Sequence, residues 1–232
     1  MTKYAFDPKP VPVIPIENSQ SVYPINRIFC VGRNYEAHAK EMGAEVDREA
    51  PFYFTKTPSA ALASGSDFPY PPGTENLHYE MELALTIGKP VFRANAAEAA
   101  EAIHAYGAAL DMTRRDRQQD GKDKRRPWDL GKDFENAAVF APLCLAADFG
   151  KVGGQRIFLE VNGEVKQDAL LSDLIHSCVE IIQHLSGYYH LEPGDVILTG
   201  TPAGVGPVVA GDRITGGIDG LAPISLDIVA AV

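Results

Sequence analysis

Hydrophobic and polar positions alternate most cleanly over residues 77–86. Leu77, Tyr79, Met81, Leu83 and Leu85 fall on one side of an extended chain, and His78, Glu80, Glu82, Ala84 and Thr86 on the other. A period of two marks a β-strand with one face toward a core. Shorter apolar runs predict further strands at 28–32, closed by a glycine, and at 107–113, which ends in Leu110-Asp111-Met112-Thr113. The turn Glu192-Pro193-Gly194-Asp195 feeds a strand over 196–199, and Ile224–Val229 reads as a terminal strand. Asn162-Gly163, inside 158–165, is the dipeptide of a type I′ hairpin.

Helical periodicity is scarcer. Residues 94–105 are rich in Ala and Glu and predict a helix. A second helix is expected after a Ser172 cap, with Leu174, Ile175, Cys178, Val179, Ile181, Ile182 and Leu185 on its apolar face and Gly187 as its stop. Residues 66–76 read as a Pro/Gly loop. Pro8, Pro10, Pro12, Pro15 and Pro24 keep the start of the chain out of helix. The expectation is an α+β fold dominated by β-structure: an N-terminal extended arm (1–26) and a single catalytic domain (27–232). A length of 232 residues favours one domain over two.

Composition narrows the function classes. With 45% hydrophobic and 22% charged residues the chain is globular rather than disordered. A net charge of −10 makes it a poor general ligand for nucleic acid or an anionic membrane. No run approaches the roughly 18 apolar residues of a spanning helix, and the first ten residues lack the apolar core of a secretion signal. Cys30, Cys144 and Cys178 are odd in number and far apart, which fits neither a disulfide framework nor a cysteine zinc site. A cytoplasmic location is expected.

Four segments carry candidate chemistry. Glu80 and Glu82, two apart on a strand, point the same way with backbones roughly 7 Å apart. Such residues are more often simply solvated. Here the opposite face is wholly apolar, and a third carboxylate, Asp111, ends another apolar strand. Three acidic groups on rigid strands suit a hard divalent cation. Within 32–43, His38 and Glu41 share a face if the stretch is helical, an arrangement suited to a general base but also common on an exposed helix. The polar residues 43–49 that follow are suited to a lid. Residues 113–128 hold seven of the 21 basic residues, and Lys132 lies just beyond. They read as a solvated loop, or as a cationic wall for an anion bound beside Asp111. Residues 199–207, T-G-T-P-A-G-V-G-P, can present backbone N–H groups to a carboxylate, but match no nucleotide-binding glycine motif.

Taken in order, G-R-N-Y-x-x-H-x-x-E, H-Y-E-M-E-L, L-D-M-T-x-R-D-x-Q, G-K-D-F and I-L-T-G-T-P-x-G-V-G resemble the fumarylacetoacetate hydrolase superfamily over about residues 27–229. The runs F-Y-F-T-K (52–56) and G-K-D-F-E-N-A-A-V-F (131–140) place the resemblance nearest the single-domain acylpyruvases, and within them the fumarylpyruvate hydrolases of gentisate breakdown. The resemblance implies a β-roll with flanking helices, a homodimer, and Mg²⁺ or Mn²⁺ held by Glu80, Glu82 and Asp111. It implies catalytic roles for His38, Glu41 and Lys132, and substrate contacts for Arg115, Gln118 and Thr201. The reaction implied is hydrolytic cleavage of a C–C bond in an anionic 2,4-dioxo acid. Oxaloacetate decarboxylation and dienedioate isomerisation are the rivals within the superfamily, and a non-enzymatic metal-binding domain is the rival outside it. About 26 residues precede the first motif, too few for the extra N-terminal domain of fumarylacetoacetate hydrolase itself. A distal substrate carboxylate would need a further cation, for which Arg33, Lys56 and Arg126 are the candidates.

Overall fold

The computed structural model describes residues 3–41, 43 and 48–231. It is an α+β fold in which strands dominate. An eight-stranded mixed sheet runs in the order Phe52–Lys56, Arg27–Gly32, Asp195–Leu198, Met81–Ile87, Ile103–Asp111, Ala138–Phe140, Ala61–Ala63, with Cys144–Leu145 also paired to Ile103–Asp111. A five-stranded sheet runs Glu164–Leu170, Arg156–Val161, Arg213–Ile218, Ile224–Val229, Asp67–Pro69. Their facing apolar residues, among them Leu83, Leu85, Ile157, Leu159, Ile214 and Leu226, form the main core. The helix Cys178–Leu185 closes that core with Ile181, Ile182 and Leu185.

The other face of the large sheet is also covered. Ile28, Cys30, Ala84, Ala109, Val196 and Leu198 pack there against Ile14 and Tyr23. Those two residues come from a ribbon of Val13–Pro15 paired antiparallel with Val22–Pro24. The proline-rich segment is therefore extended, and its apolar positions lie folded down on the sheet. This second layer explains why every residue of Met81–Ile87 is buried, including Ala84 and Thr86 on the side that alternation marked as polar.

Several sequence expectations shift at their edges. The predicted strand over 77–86 is two strands, Leu77–Tyr79 and Met81–Ile87, broken at Glu80. The first pairs with Thr113–Arg114 and Gly206–Val208 in a separate three-stranded sheet. The Ala/Glu helix is Ala96–Ala102, capped by Asn95 and Glu98, and yields to strand at Ile103. Ile103 is β-branched and opens an apolar run, so sheet burial overrides the local helix preference. The second helix starts from Ser177 instead of Ser172, because Ser177 and Glu180 complete a capping box. Residues 171–173 form a short 3₁₀ turn ahead of it. The 66–76 loop contributes the edge strand Asp67–Pro69. The hairpin at Asn162-Gly163 has the expected left-handed φ values of 53° and 80°.

Candidate active site

The break at Glu80 is where the chemistry gathers. Antiparallel register sets Met81 opposite Leu110 and Glu82 opposite Ala109. Glu80 therefore falls beside Asp111, whose N–H donates to the Glu80 carbonyl at 2.9 Å. Side chains alternate along both strands, so Glu80, Glu82 and Asp111 project to one side, at the end of the layer made by Ala84 and Ala109. All three are buried, and one oxygen from each lies within 4.8 Å of the others.

Their electrostatic surroundings differ. Lys132 Nζ reaches Glu80 Oε2 at 2.8 Å, Asp111 Oδ2 at 2.7 Å and the Thr113 hydroxyl at 2.7 Å. Arg115 Nη2 reaches Glu80 Oε1 at 2.5 Å. Burial alone would raise the Glu80 pKa, but Lys132 and Arg115 outweigh it and hold the carboxyl below its usual range. For Glu82 burial also comes first, and repulsion from Asp111 and Glu80 adds to it, so its pKa lies well above the ordinary carboxylate value. Among the described residues its Oε2 accepts only the Gly200 N–H, at 2.6 Å. Lys56 Nζ stands 2.8 Å from Asp111 Oδ1 as an ion pair, with both side chains fully buried. Three convergent oxygen donors, one of them a carboxylate without a cation partner, fit a hard divalent cation.

Lys132 is delivered by the one-turn helix Asp129–Lys132, which packs against the helix Arg115–Asp123. Gly131 makes that approach possible, since a Cβ there would meet Gln118 N at 2.7 Å. Burial lowers the Lys132 pKa, but Asp111 and Glu80 outweigh it and raise the value above normal. The lysine is therefore a fixed positive charge.

The stretch 32–43 holds the helix Glu36–Glu41. His38 Nδ1 lies 3.2 Å from Glu41 Oε2, and Glu41 in turn accepts from Gly204 N at 3.1 Å. Gly204 is at φ +97°, and a Cβ there would overlap the Lys166 carbonyl, so only glycine lets the 199–207 loop lie against the strand Glu164–Leu170. Burial lowers the His38 pKa despite the pull of Glu80 and Glu41, which keeps the ring neutral and able to take a proton. Residues 44–47 of the suggested lid lie outside the described residues.

His38, Glu80, Glu82, Arg115, Gln118, Lys132 and Thr201 all line one pocket; Asp111 lies beneath it and Glu41 behind His38. Arg115 is already committed, to Glu80 and to Gln118 Oε1 at 2.6 Å. Thr201 Oγ1 accepts from Gln167 Nε2 at 2.8 Å. Of the candidate cations for a distal carboxylate, Arg33 lines the pocket and the other two do not. Lys56 is buried beneath it and donates to the carbonyls of Met112 and Lys132. Arg126 is exposed on a neighbouring cleft beside Phe54 and Trp128. The basic run 113–128 is helical from Arg115 to Asp123, not a loop, and turns one face inward.

Sequence reasoning did not single out Lys122, Trp128, Gln167 or Asn34. Lys122 and Trp128 line the pocket. Asn34 ties two segments together, donating to Thr199 O and His176 O at 2.8 and 2.9 Å. Lys122 was within reach of the pattern, because Arg115, Gln118 and Lys122 stand at i, i+3 and i+7, one face of a helix. No local signal marks Asn34 or Gln167, whose partners are distant in sequence.

Residues 27–229 match the family model described as fumarylacetoacetate (FAA) hydrolase, C-terminal. A fumarylpyruvate hydrolase from a Ralstonia species is 52% identical over 189 residues, covering 81% of this chain and 98% of the relative. An oxaloacetate tautomerase of Escherichia coli K12 is 39% identical over 199 residues, covering 85% and 90%. The crystal structure of fumarylpyruvate hydrolase from Pseudomonas aeruginosa, in complex with Mn²⁺ and pyruvate, superposes with a TM-score of 0.94 at 41% identity, covering 98% of this chain and 100% of that one. The chain belongs to the fumarylacetoacetate hydrolase family.

Proposed function

We propose that this protein is a metal-dependent hydrolase that cleaves fumarylpyruvate to fumarate and pyruvate, and acts more broadly on 2,4-dioxo acids. The observation that carries the reading is the buried cluster of Glu80, Glu82 and Asp111 opening into a pocket with His38 and Lys132. It gains support from the overlay on a fumarylpyruvate hydrolase described with Mn²⁺ and pyruvate. The three carboxylates would hold Mg²⁺ or Mn²⁺, one per chain. When bound, the cation supplies Lewis acidity toward the substrate's carboxylate and neighbouring keto oxygen.

The chain's own groups account for the proton transfers. Neutral His38, oriented by Glu41, takes a proton from water as it adds to the fumaryl carbonyl, the one bonded to the CH₂ of the pyruvate half. The C–C bond then breaks and its electron pair leaves on the pyruvate half as an enolate. The fixed Lys132 ammonium stabilises that charge, and protonation at carbon completes pyruvate. Arg115 and Gln118, locked together, and Thr201, held by Gln167, orient the substrate.

In this reading residues 27–232 are the catalytic domain and residues 1–26 an arm. The protein works as a homodimer in cytoplasmic breakdown of aromatic compounds. The family resemblance supports the dimer, and the three free thiols, in the state a reducing compartment maintains, support the location. A second reading, enolate chemistry on oxaloacetate, is favoured by the tautomerase relatives, because it needs the same metal and ammonium but no attacking water. Following ultraviolet loss of fumarylpyruvate, acetylpyruvate and oxaloacetate, with and without Mg²⁺, separates the two. Metal-dependent release of pyruvate and fumarate is expected; activity on oxaloacetate alone would sink the hydrolase reading.

A further inference from the structure

Among the cations that line the pocket, Arg115 and Lys132 are bound to Glu80, and Lys132 to Asp111 as well. Two others have no such partner. Among the described residues, the side chains of Arg33 and Lys122 make neither a hydrogen bond nor an ion pair; each is held over an aromatic ring instead. The Arg33 guanidinium carbon stands 5.5 Å from the Phe52 ring centroid, and Lys122 Nζ 5.3 Å from that of Trp128. The two rings meet edge to face at 5.4 Å, so the cations stand on one continuous aromatic wall.

Backbone geometry fixes both cations. Arg33 occupies the left-handed region at φ 56°, a conformation that costs a non-glycine residue energy and that is often retained where a side chain must be aimed. A Cβ on neighbouring Gly32 would penetrate the Phe52 ring, so the wall lies directly against this turn. Lys122 is two helical turns beyond Arg115 on the same face, roughly 10 Å along the axis. Seven carbons of an extended fumarylpyruvate separate its terminal carboxyl carbons by roughly 7–8 Å, given bonds of about 1.5 Å. One end of such a molecule can lie beside the carboxylate cluster and Arg115 while the other reaches Lys122.

We infer that Lys122 and Arg33 form a two-cation clamp for the far carboxylate of a dicarboxylic dioxo acid, and so set the enzyme's preference for fumarylpyruvate over acylpyruvates with an uncharged tail. The inference rests on the hydrolase reading above. It also explains an otherwise unfavourable placement. Burial, then repulsion from Arg115 and Arg33, lowers the Lys122 pKa to about 8, and a substrate carboxylate supplies the missing counter-charge.

The test is the ratio of kcat/KM for fumarylpyruvate to that for acetylpyruvate, measured with Mn²⁺-loaded wild type, Lys122→Met, Lys122→Gln and Arg33→Met. A charge-assisted contact of this kind sets an expected fall in the ratio of about tenfold to a hundredfold in each variant. The loss should sit chiefly in KM for fumarylpyruvate, and Lys122→Arg should recover most of it. An unchanged ratio in Lys122→Met and Lys122→Gln alike, whether both activities persist or both fall together, overturns the clamp while leaving the hydrolase reading in place. A wild type that hydrolyses neither substrate overturns both.

Discussion

Glu80 and Glu82 sit two residues apart and project to the same side, yet their surroundings differ sharply. Glu80 is clasped by Lys132 and Arg115, whereas Glu82 faces its fellow carboxylates with one backbone N–H for support. Removing the Glu80 charge takes the carboxylate partner from Arg115 and one of two from buried Lys132. Glu80→Gln should therefore cost about 3–5 kcal/mol of stability in metal-free protein, the usual result of breaking a buried pair. Glu82→Gln should cost under about 1 kcal/mol, because burial and repulsion already favour a protonated Glu82 and the amide keeps an acceptor for Gly200. Both variants should lose Mn²⁺ affinity, as should Asp111→Ala. Urea titrations of metal-free protein paired with calorimetric Mn²⁺ titrations check this. Equal destabilisation by the two glutamine variants would contradict the division of labour.

The elements show which parts of the chain announce themselves. Alternation over 77–86 gave the carboxylates their common face, and Asp111 at the end of an apolar run marked its strand. Both signals are local. Neither reveals that the first strand breaks at Glu80, because the break comes from Leu77–Tyr79 joining a different sheet through Val208 and Thr113. The i, i+3 spacing of His38 and Glu41 was likewise readable, while the contact of Glu41 with Gly204, 163 residues away, was not. That contact docks the helix Glu36–Glu41 on the 199–207 loop, and a prediction belongs to it. In the proposed mechanism water activation needs His38, whereas enolate formation from oxaloacetate does not. His38→Ala should keep Mn²⁺ affinity and lose acylpyruvate hydrolysis by roughly 10²–10⁴, the worth of a positioned acid–base group. Any oxaloacetate decarboxylation should fall much less. Glu41→Gln should resemble a milder form, since the ring remains with a weaker orienting partner. Progress curves for both substrates at saturating metal decide the matter; parallel losses in His38→Ala would place the imidazole on the shared enolate step.

At the scale of the whole molecule, the candidate metal site doubles as a point of closure. Glu82 comes from a central strand of the large sheet, Glu80 from the break just before that strand, and Asp111 from the end of the neighbouring strand. Lys132 comes from a helix, and Gly200 from the loop after Asp195–Leu198. An unfolded chain scatters these groups and binds the cation poorly, so binding to the folded state should stabilise the entire chain. At a free Mn²⁺ concentration of 100 times Kd the gain is about 2.7 kcal/mol. For a chain of this size each kcal/mol raises Tm by about 2–4 °C, so the expected rise is about 5–11 °C. EDTA should reverse it. In Glu82→Ala the metal-dependent increment should largely vanish, while the metal-free Tm stays closer to wild type than that of Glu80→Ala. The acidic surface offers a competing account, since a net charge of −10 attracts divalent cations loosely over the whole exterior. Ionic strength separates the two: 0.3 M NaCl screens diffuse attraction between exposed groups and leaves a buried site largely intact. Melting curves with Mn²⁺ at low and high salt, in wild type and Glu82→Ala, distinguish them. A rise that salt abolishes, or that survives in Glu82→Ala, would mean that the cation acts on the surface and that the buried carboxylates do not hold it.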